Sequence, residues 1–268
     1  MRPLPVALAI SGFDPSGGAG LFADLRAFRA AGAWGCGAVA VLTVQSTAGL
    51  AAARPVPTPL VIAQVRELFE HERIAAIKTG ALGTASTVLA VTRLLRPVVS
   101  KIPLVVDPVI AATRTRGRSR LTDPASALRL KDLIGMATVA TPNAHEAEAI
   151  LGAPVRTLRQ AADAARSFVT SGARAAVVTG GHLAASEAVD VLAVADRVLY
   201  LRAPRLHRRP LHGAGCSLAS LIAGRLAARH ASLTDAAIVQ AVRWAKARIS
   251  RAIAEATSIG DGLLVLPL

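Results

Sequence analysis

The chain has 268 residues, 53% of them hydrophobic and 18% charged, which excludes intrinsic disorder and suffices to bury a full core. Lys and Arg number 31 against 17 Asp and Glu, a net charge of +14, a balance that in isolation points to nucleic acid or an anionic surface. Almost all of that excess is arginine, which genome composition alone can produce, and five Phe, two Trp and one Tyr leave little for base stacking, so nucleic-acid binding is not expected.

Short apolar runs predict strands over 6–11, 36–43, 74–78, 104–107, 138–140 and 175–179. Amphipathic runs predict helices between most of them, over 21–31, 59–71, 84–95, 124–134, 144–151 and 158–171. A hairpin-like stretch follows, 189–194 and 197–201 flanking Ala195-Asp196, and two helices over 216–229 and 233–256 close the chain. This alternation predicts an α/β fold, a mostly parallel central sheet with helices on both faces. No composition break or internal repeat divides the chain, so one domain over 1–268 is expected. Cys36 and Cys216 make no disulfide framework and have no metal-ligand spacing. The apolar residues 6–10 break too early for a signal peptide, and no run reaches the ~18 apolar residues of a membrane span. A soluble, cytoplasmic protein is expected.

In an open parallel sheet, ligands sit beyond the carboxyl ends of the strands. Four loops there carry chemistry. The first, Ser11-Gly12-Phe13-Asp14-Pro15-Ser16-Gly17-Gly18-Ala19-Gly20, lets backbone amides approach a ligand, but matches neither the dinucleotide fingerprint nor the P-loop, and a plain strand-to-helix turn reads equally from it. The second, Leu211-His212-Gly213-Ala214-Gly215-Cys216-Ser217, opens an apolar helix and can form an anion hole. Cys216 in its first turn is expected to have a lowered thiol pKa and to serve as a base; a small core cysteine behind a capping loop is the alternative. Cys36, inside an apolar strand, reads as core.

The third loop, Thr141-Pro142-Asn143-Ala144-His145-Glu146, supports two readings. Asn143 and Glu146 have capping-box spacing, and they also stand at a strand end where they could hold water around Mg²⁺. Ala149 rules out a zinc-protease motif. The fourth is Asp107 after an apolar strand, a metal-water carboxylate or an ordinary Asp-Pro turn. Four arginines, Arg114, Arg116, Arg118 and Arg120, follow as a solvated loop or an anion lid.

Together the loops resemble the ribokinase-like superfamily, and within it the hydroxymethylpyrimidine/phosphomethylpyrimidine kinases of thiamine biosynthesis. The resemblance runs nearly end to end, through Ala9–Gly20, Ala23-Asp24-Leu25, Leu42-Thr43-Val44-Gln45-Ser46-Thr47, Lys78-Thr79-Gly80-Ala81-Leu82-Gly83, Asp107-Pro108-Val109, Thr141-Pro142-Asn143, Gly180-Gly181-His182 and His212-Gly213-Ala214-Gly215-Cys216. Sugar kinases of the superfamily carry Asp at the position of Cys216. The resemblance implies a three-layer fold, a homodimer, ATP and Mg²⁺, and phosphoryl transfer to the hydroxymethyl group of an aminopyrimidine. By the same resemblance, Ala19, Asp24, Thr43, Gln45, Ala81 and Val109 surround the pyrimidine. Asn143, Thr179 and Gly181 meet the nucleotide, Asp107 and Glu146 the metal; Gly213, Ala214 and Gly215 form the anion hole, and Cys216 is the base.

The chain departs from that pattern around the ligand. Thr179 stands where the family has Lys, Ala81 where it has Met, and the arginine run where it has a Lys-Ser-Gly-type lid. The usual glycine-rich C-terminal element survives only as Ile259-Gly260-Asp261-Gly262. Arg114, Arg116 or Arg118 would then supply the charge missing at Thr179. Two other readings remain: a vitamin B6 kinase of the same superfamily, and a catalytically weakened pyrimidine-binding paralogue.

Overall fold

The structure is a computed structural model that describes residues 3–116, 120–123, 125–182, 187–206, 211–229 and 233–268. Among the described residues there are nine strands: β1 (Val6–Phe13), β2 (Trp34–Ser46), β3 (Gly49–Pro55), β4 (Ile74–Thr79), β5 (Leu104–Val106), β6 (Val139–Ala140), β7 (Ala175–Val178), β8 (Glu187–Val194) and β9 (Arg197–Pro204). They form one sheet in the order β3-β2-β1-β4-β5-β6-β7-β8-β9. The strands from β2 to β7 run parallel, and β3, β8 and β9 add antiparallel edges. Eight helices accompany them: α1 (Gly20–Ala30), α2 (Thr58–His71), α3 (Ala85–Leu95), α4 (Ser126–Ile134), α5 (Ala144–Leu151), α6 (Leu158–Thr170), α7 (Ala214–Ala227) and α8 (Asp235–Ala254). None of the described helices is long and apolar enough to cross a membrane.

Interior strands such as β1 and β7 are apolar on both faces because both faces are covered. On one side, Val61 and Val65 of α2, Val88 and Val91 of α3, Leu133 of α4, Ile150 of α5 and Phe168 of α6 pack together. On the other, Phe28 of α1 meets Leu221 and Ile222 of α7 and Val242 and Ile249 of α8. Three layers result, as the alternation of runs predicts. Side-chain caps fix several helix starts: Thr84 accepts from the Thr87 amide, and Thr157 and Gln160 form a capping box on α6.

Two differences from the sequence reading matter for the site. The strand β3 was not expected, since its run Leu50-Ala51-Ala52-Ala53 has low strand propensity. It pairs with the overlong β2 through a turn at Thr47-Ala48. Helix α7 begins at Ala214, two residues earlier than expected, with Gly213 as its N-cap in the left-handed region (φ 75°). This draws Cys216 fully into the first turn.

Candidate active site

The carboxyl ends of β1, β4, β5, β6 and β7 and the start of α7 border one cavity of about 320 Å³. It is lined by Ala19, Thr43, Gln45, Ala81, Asp107, Val109, Asn143, Glu146, Thr179, Gly181 and the Gly213–Cys216 loop, residues drawn from every loop that the sequence singled out. The first loop is held by Asp14, which accepts from the Ser16 amide (3.0 Å) and hydroxyl (2.8 Å), the Ala19 amide (2.9 Å) and His212 Nε2 (2.7 Å). The Thr43 hydroxyl donates to the Phe13 carbonyl (2.8 Å), tying β2 to the same loop.

At the start of α7 the backbone approaches the first loop closely. A Cβ on Gly213 would lie 2.1 Å from the Gly18 carbonyl oxygen, so glycine is required for sterics as well as for its φ. The first helical bond runs from the Ser217 amide to the Gly213 carbonyl (2.9 Å). The amides of Ala214, Gly215 and Cys216 precede that ladder and remain available to an anion, with the helix dipole behind them.

Beneath Cys216 lies a buried charged cluster. Lys78 of β4 is fully buried and donates to Asp24 Oδ1 of α1 (2.8 Å), with Asp107 Oδ2 3.7 Å from the same ammonium. Ser220 of α7 also donates to Asp24 Oδ1 (2.7 Å). Asp24 is therefore sealed behind the cavity wall, out of reach of a substrate, and does not stand in the pocket where the resemblance places it. The Cys216 thiol faces the Asp107 carboxyl group. Burial and the Asp107 charge push this thiol well above its ordinary pKa despite the opposing pull of Lys78. The expected lowering by the helix terminus is thus reversed, because a terminus supplies a partial charge and the facing carboxylates full ones.

Asn143 and Glu146 form a capping box at the start of α5: Asn143 Oδ1 accepts from the Glu146 amide, and Glu146 Oε2 from the Asn143 amide, both at 2.9 Å. Both also line the cavity, so the structural and the ligand-facing readings coexist. Burial first, then the Asp107 charge, raises the Glu146 pKa to about 8.

Thr179 follows β7 and bridges to Asn143; its amide donates to the Pro142 carbonyl (3.0 Å). Arg114 and Arg116 do not reach it. Both are exposed and outside the cavity lining, and the backbone of this segment pairs with Leu50 instead. Arg118 lies outside the described residues. Among the described residues, the Lys and Arg side chains on the cavity wall are Lys246 of α8 and Arg205 after β9. Lys246 pairs with Asp190 Oδ2 (2.8 Å), whose Oδ1 accepts from the Gly180 amide (2.9 Å), and Arg205 donates to the Gly181 carbonyl (2.9 Å). Sequence reasoning missed both because a single Lys on an amphipathic helix reads as a solvated face.

The family model for phosphomethylpyrimidine kinase matches residues 14–266. The chain belongs to the phosphomethylpyrimidine kinase family. The hydroxymethylpyrimidine/phosphomethylpyrimidine kinase of Rhizobium meliloti is 36% identical over 264 residues, covering 96% of this chain and 94% of its own. A Bacillus subtilis pyridoxal kinase in complex with ADP superposes with a TM-score of 0.87 at 28% identity, covering 98% of this chain and 97% of its own. The phosphomethylpyrimidine kinase of Clostridium difficile 630 gives 0.77 at 30% identity, covering 92% and 99%. This phosphomethylpyrimidine kinase family member thus has the ribokinase-like architecture that its loops led us to expect, and it is a kinase.

A divalent ion is tested against the donors themselves. Asp107 Oδ2 is buried without a hydrogen-bond partner, and Glu146 carries the repulsion of Asp107. Two buried carboxyl groups on one cavity wall, the charge of one raising the pKa of the other, fit Mg²⁺, which takes one or two carboxylates and completes its shell with water and phosphate oxygens. Without the ion, the family member should lose stability as pH rises. The folded pKa of Glu146 is raised, so its contribution is complete below about 4.5 and lost by about 8. Glu146→Gln keeps the capping acceptor and removes the charge. In chelator, its Tm at pH 8 to 9 should exceed that of wild type by on the order of 5 °C, with no difference near pH 4.5; parallel melting curves across this range would refute the assignment.

Proposed function

We propose that this kinase transfers the γ-phosphoryl group of ATP to the hydroxymethyl group of 4-amino-5-hydroxymethyl-2-methylpyrimidine, and to its monophosphate, as one ribokinase-like domain over 1–268. The observation that carries this reading is the lining of one cavity by both Gln45 and the Gly213–Cys216 loop. An amide offers a donor beside an acceptor, the complement of an aminopyrimidine edge. Ala19, Thr43, Ala81 and Val109 pack around the ring. The amides of Ala214, Gly215 and Cys216 receive the negative oxygens of the transferring group, and preorganised donors of this kind supply the largest part of such catalysis.

The substrate hydroxyl attacks phosphorus as the bond to the ADP oxygen breaks. Cys216 Sγ takes the hydroxyl proton as the thiolate, its own proton having gone to solvent, and the Lys78 ammonium favours that form. Mg²⁺, held by Asp107 and Glu146, would neutralise phosphate charge. Asn143, Thr179 and Gly181 border the nucleotide, and Lys246 and Arg205 bring positive charge to the end where Thr179 offers none.

One observation favours a second reading, pyridoxal phosphorylation. The Bacillus subtilis pyridoxal kinase is a close structural match, and Ala81 leaves room for a substituted pyridine. Coupled ATP turnover with the pyrimidine, its monophosphate and pyridoxal separates the two. Highest kcat/KM on the pyrimidine is expected; a higher value on pyridoxal would replace the first reading with the second, and pyrimidine binding without turnover would overturn both.

A further inference from the structure

We propose that Asp14 and His212 are positioning residues that fix the orientation of the Gln45 amide, and that this pair sets which ring edge the site accepts, amino-substituted over oxo-substituted. The inference rests on the reading that Gln45 meets the substrate ring.

His212 Nε2 lies 2.7 Å from Asp14 Oδ2 and 3.4 Å from Gln45 Nε2, so one ring nitrogen faces both side chains. Asp14 and His212 are both buried. Burial acts to raise the Asp14 pKa, but the hydrogen bond and charge of His212 and the bonds from Ser16 outweigh it and leave the group below the ordinary carboxylate value. An ionised carboxylate only accepts, so the hydrogen resides on His212 Nε2. His212 Nδ1 is buried without a partner. A lone ring hydrogen on Nδ1 would be buried with no acceptor, whereas one on Nε2 meets the Asp14 carboxylate.

The ring is also fixed in place. A Cβ on Gly18 would lie 2.1 Å from His212 Cδ2, so the imidazole lies flush against the backbone of the first loop. Asp14 is anchored by the Ser16 and Ala19 amides. An N–H held in this way repels the Gln45 NH₂ and favours its oxygen. The two amide atoms are isosteric, and which one faces the imidazole follows from the hydrogen-bond network. The favoured amide therefore turns one lone pair of Oε1 to His212, keeps the other for the substrate amino group and leaves its NH₂ to donate into the cavity. A 4-aminopyrimidine presents a bare ring nitrogen to such a donor. Its 4-oxo analogue presents a ring N–H, which is repelled.

Asp14→Asn provides the test. A neutral amide no longer holds the Nε2 hydrogen as the ionised carboxylate does, so the ring loses its fixed donor and Gln45 is free to reverse. Binding of 4-amino-5-hydroxymethyl-2-methylpyrimidine and of its 4-oxo analogue is measured by calorimetry for wild type, Asp14→Asn and Gln45→Glu. The expected result is a fall of roughly tenfold or more in the amino-to-oxo affinity ratio for Asp14→Asn. An unchanged ratio in Asp14→Asn, with Gln45→Glu losing pyrimidine affinity, would overturn the positioning role and leave the ring contact standing. If Gln45→Glu also binds as wild type, the ring contact itself fails. Should Asp14→Asn not fold, ¹⁵N NMR of wild-type His212 decides: a hydrogen on Nε2 is expected, and a ring protonated only at Nδ1 would overturn the inference.

Discussion

Replacing Lys78 with methionine is expected to destabilise the protein by about 3–5 kcal/mol and to lower Tm by about 10 °C. The side chain is fully buried, 2.8 Å from Asp24 and 3.7 Å from Asp107. Burial alone would lower its pKa, but Asp24, Cys216 and Asp107 outweigh that and raise it, so the ammonium stays charged. A methionine fills similar space and leaves two carboxyl groups in a low-dielectric interior without their shared cation. At Asp24 Oδ1 only the Ser220 hydroxyl would remain as a donor, and Asp107 Oδ2 has no hydrogen-bond partner to take over from the ammonium. Adding Asp24→Asn should recover part of the loss, because the two sites share one interaction. Urea unfolding of the two single variants and the double variant measures this. A Lys78→Met loss below about 1 kcal/mol, or strictly additive effects, would show that the cluster does not act as a unit.

Cys216→Ala should lower kcat by about 10²–10⁴-fold while changing substrate affinity only a few-fold. The alanine keeps the backbone amide at this position, and with it the anion-binding contribution of the helix start. What it removes is the proposed proton acceptor. Cys216→Ser should not rescue the rate, because a serine hydroxyl releases its proton even less readily than this raised thiol. Steady-state turnover together with ligand-induced shifts in Tm separates binding from chemistry. A loss of less than tenfold would move the proton transfer from Cys216 to Asp107.

The layered architecture was legible because the central strands are covered on both faces. Their apolar runs stand out between amphipathic helices, and the loops that leave them carry the glycines and the Asp-Pro and Thr-Pro-Asn signals. The strand β3 was illegible because alanines carry no strand signal, and only pairing with β2 holds them extended. The cavity-lining residues were legible as loops in a known order. The charged cluster was not: Lys78 sits in an apolar strand, and its partner lies 54 residues away on a helix. The direction of the Cys216 pKa shift was misread for a related reason. Periodicity reveals its own helix, but the opposing carboxylates arrive from β5 and α1. The arginine run was conspicuous in sequence yet lies away from Thr179, whereas an inconspicuous Lys246 lines the same wall.

The contact between the first loop and the start of α7 also governs when the enzyme becomes competent during its synthesis. Asp14 and His212 are 198 residues apart. At about 5–20 residues per second, the first loop leaves the ribosome roughly 10–40 s before the imidazole that completes it. Throughout that interval the nascent chain has neither the Gly213–Cys216 loop nor the ring that holds Gln45. Ligand can therefore stabilise only a chain that has been extended past the start of α7, and protection by substrate becomes a report on that stage of synthesis.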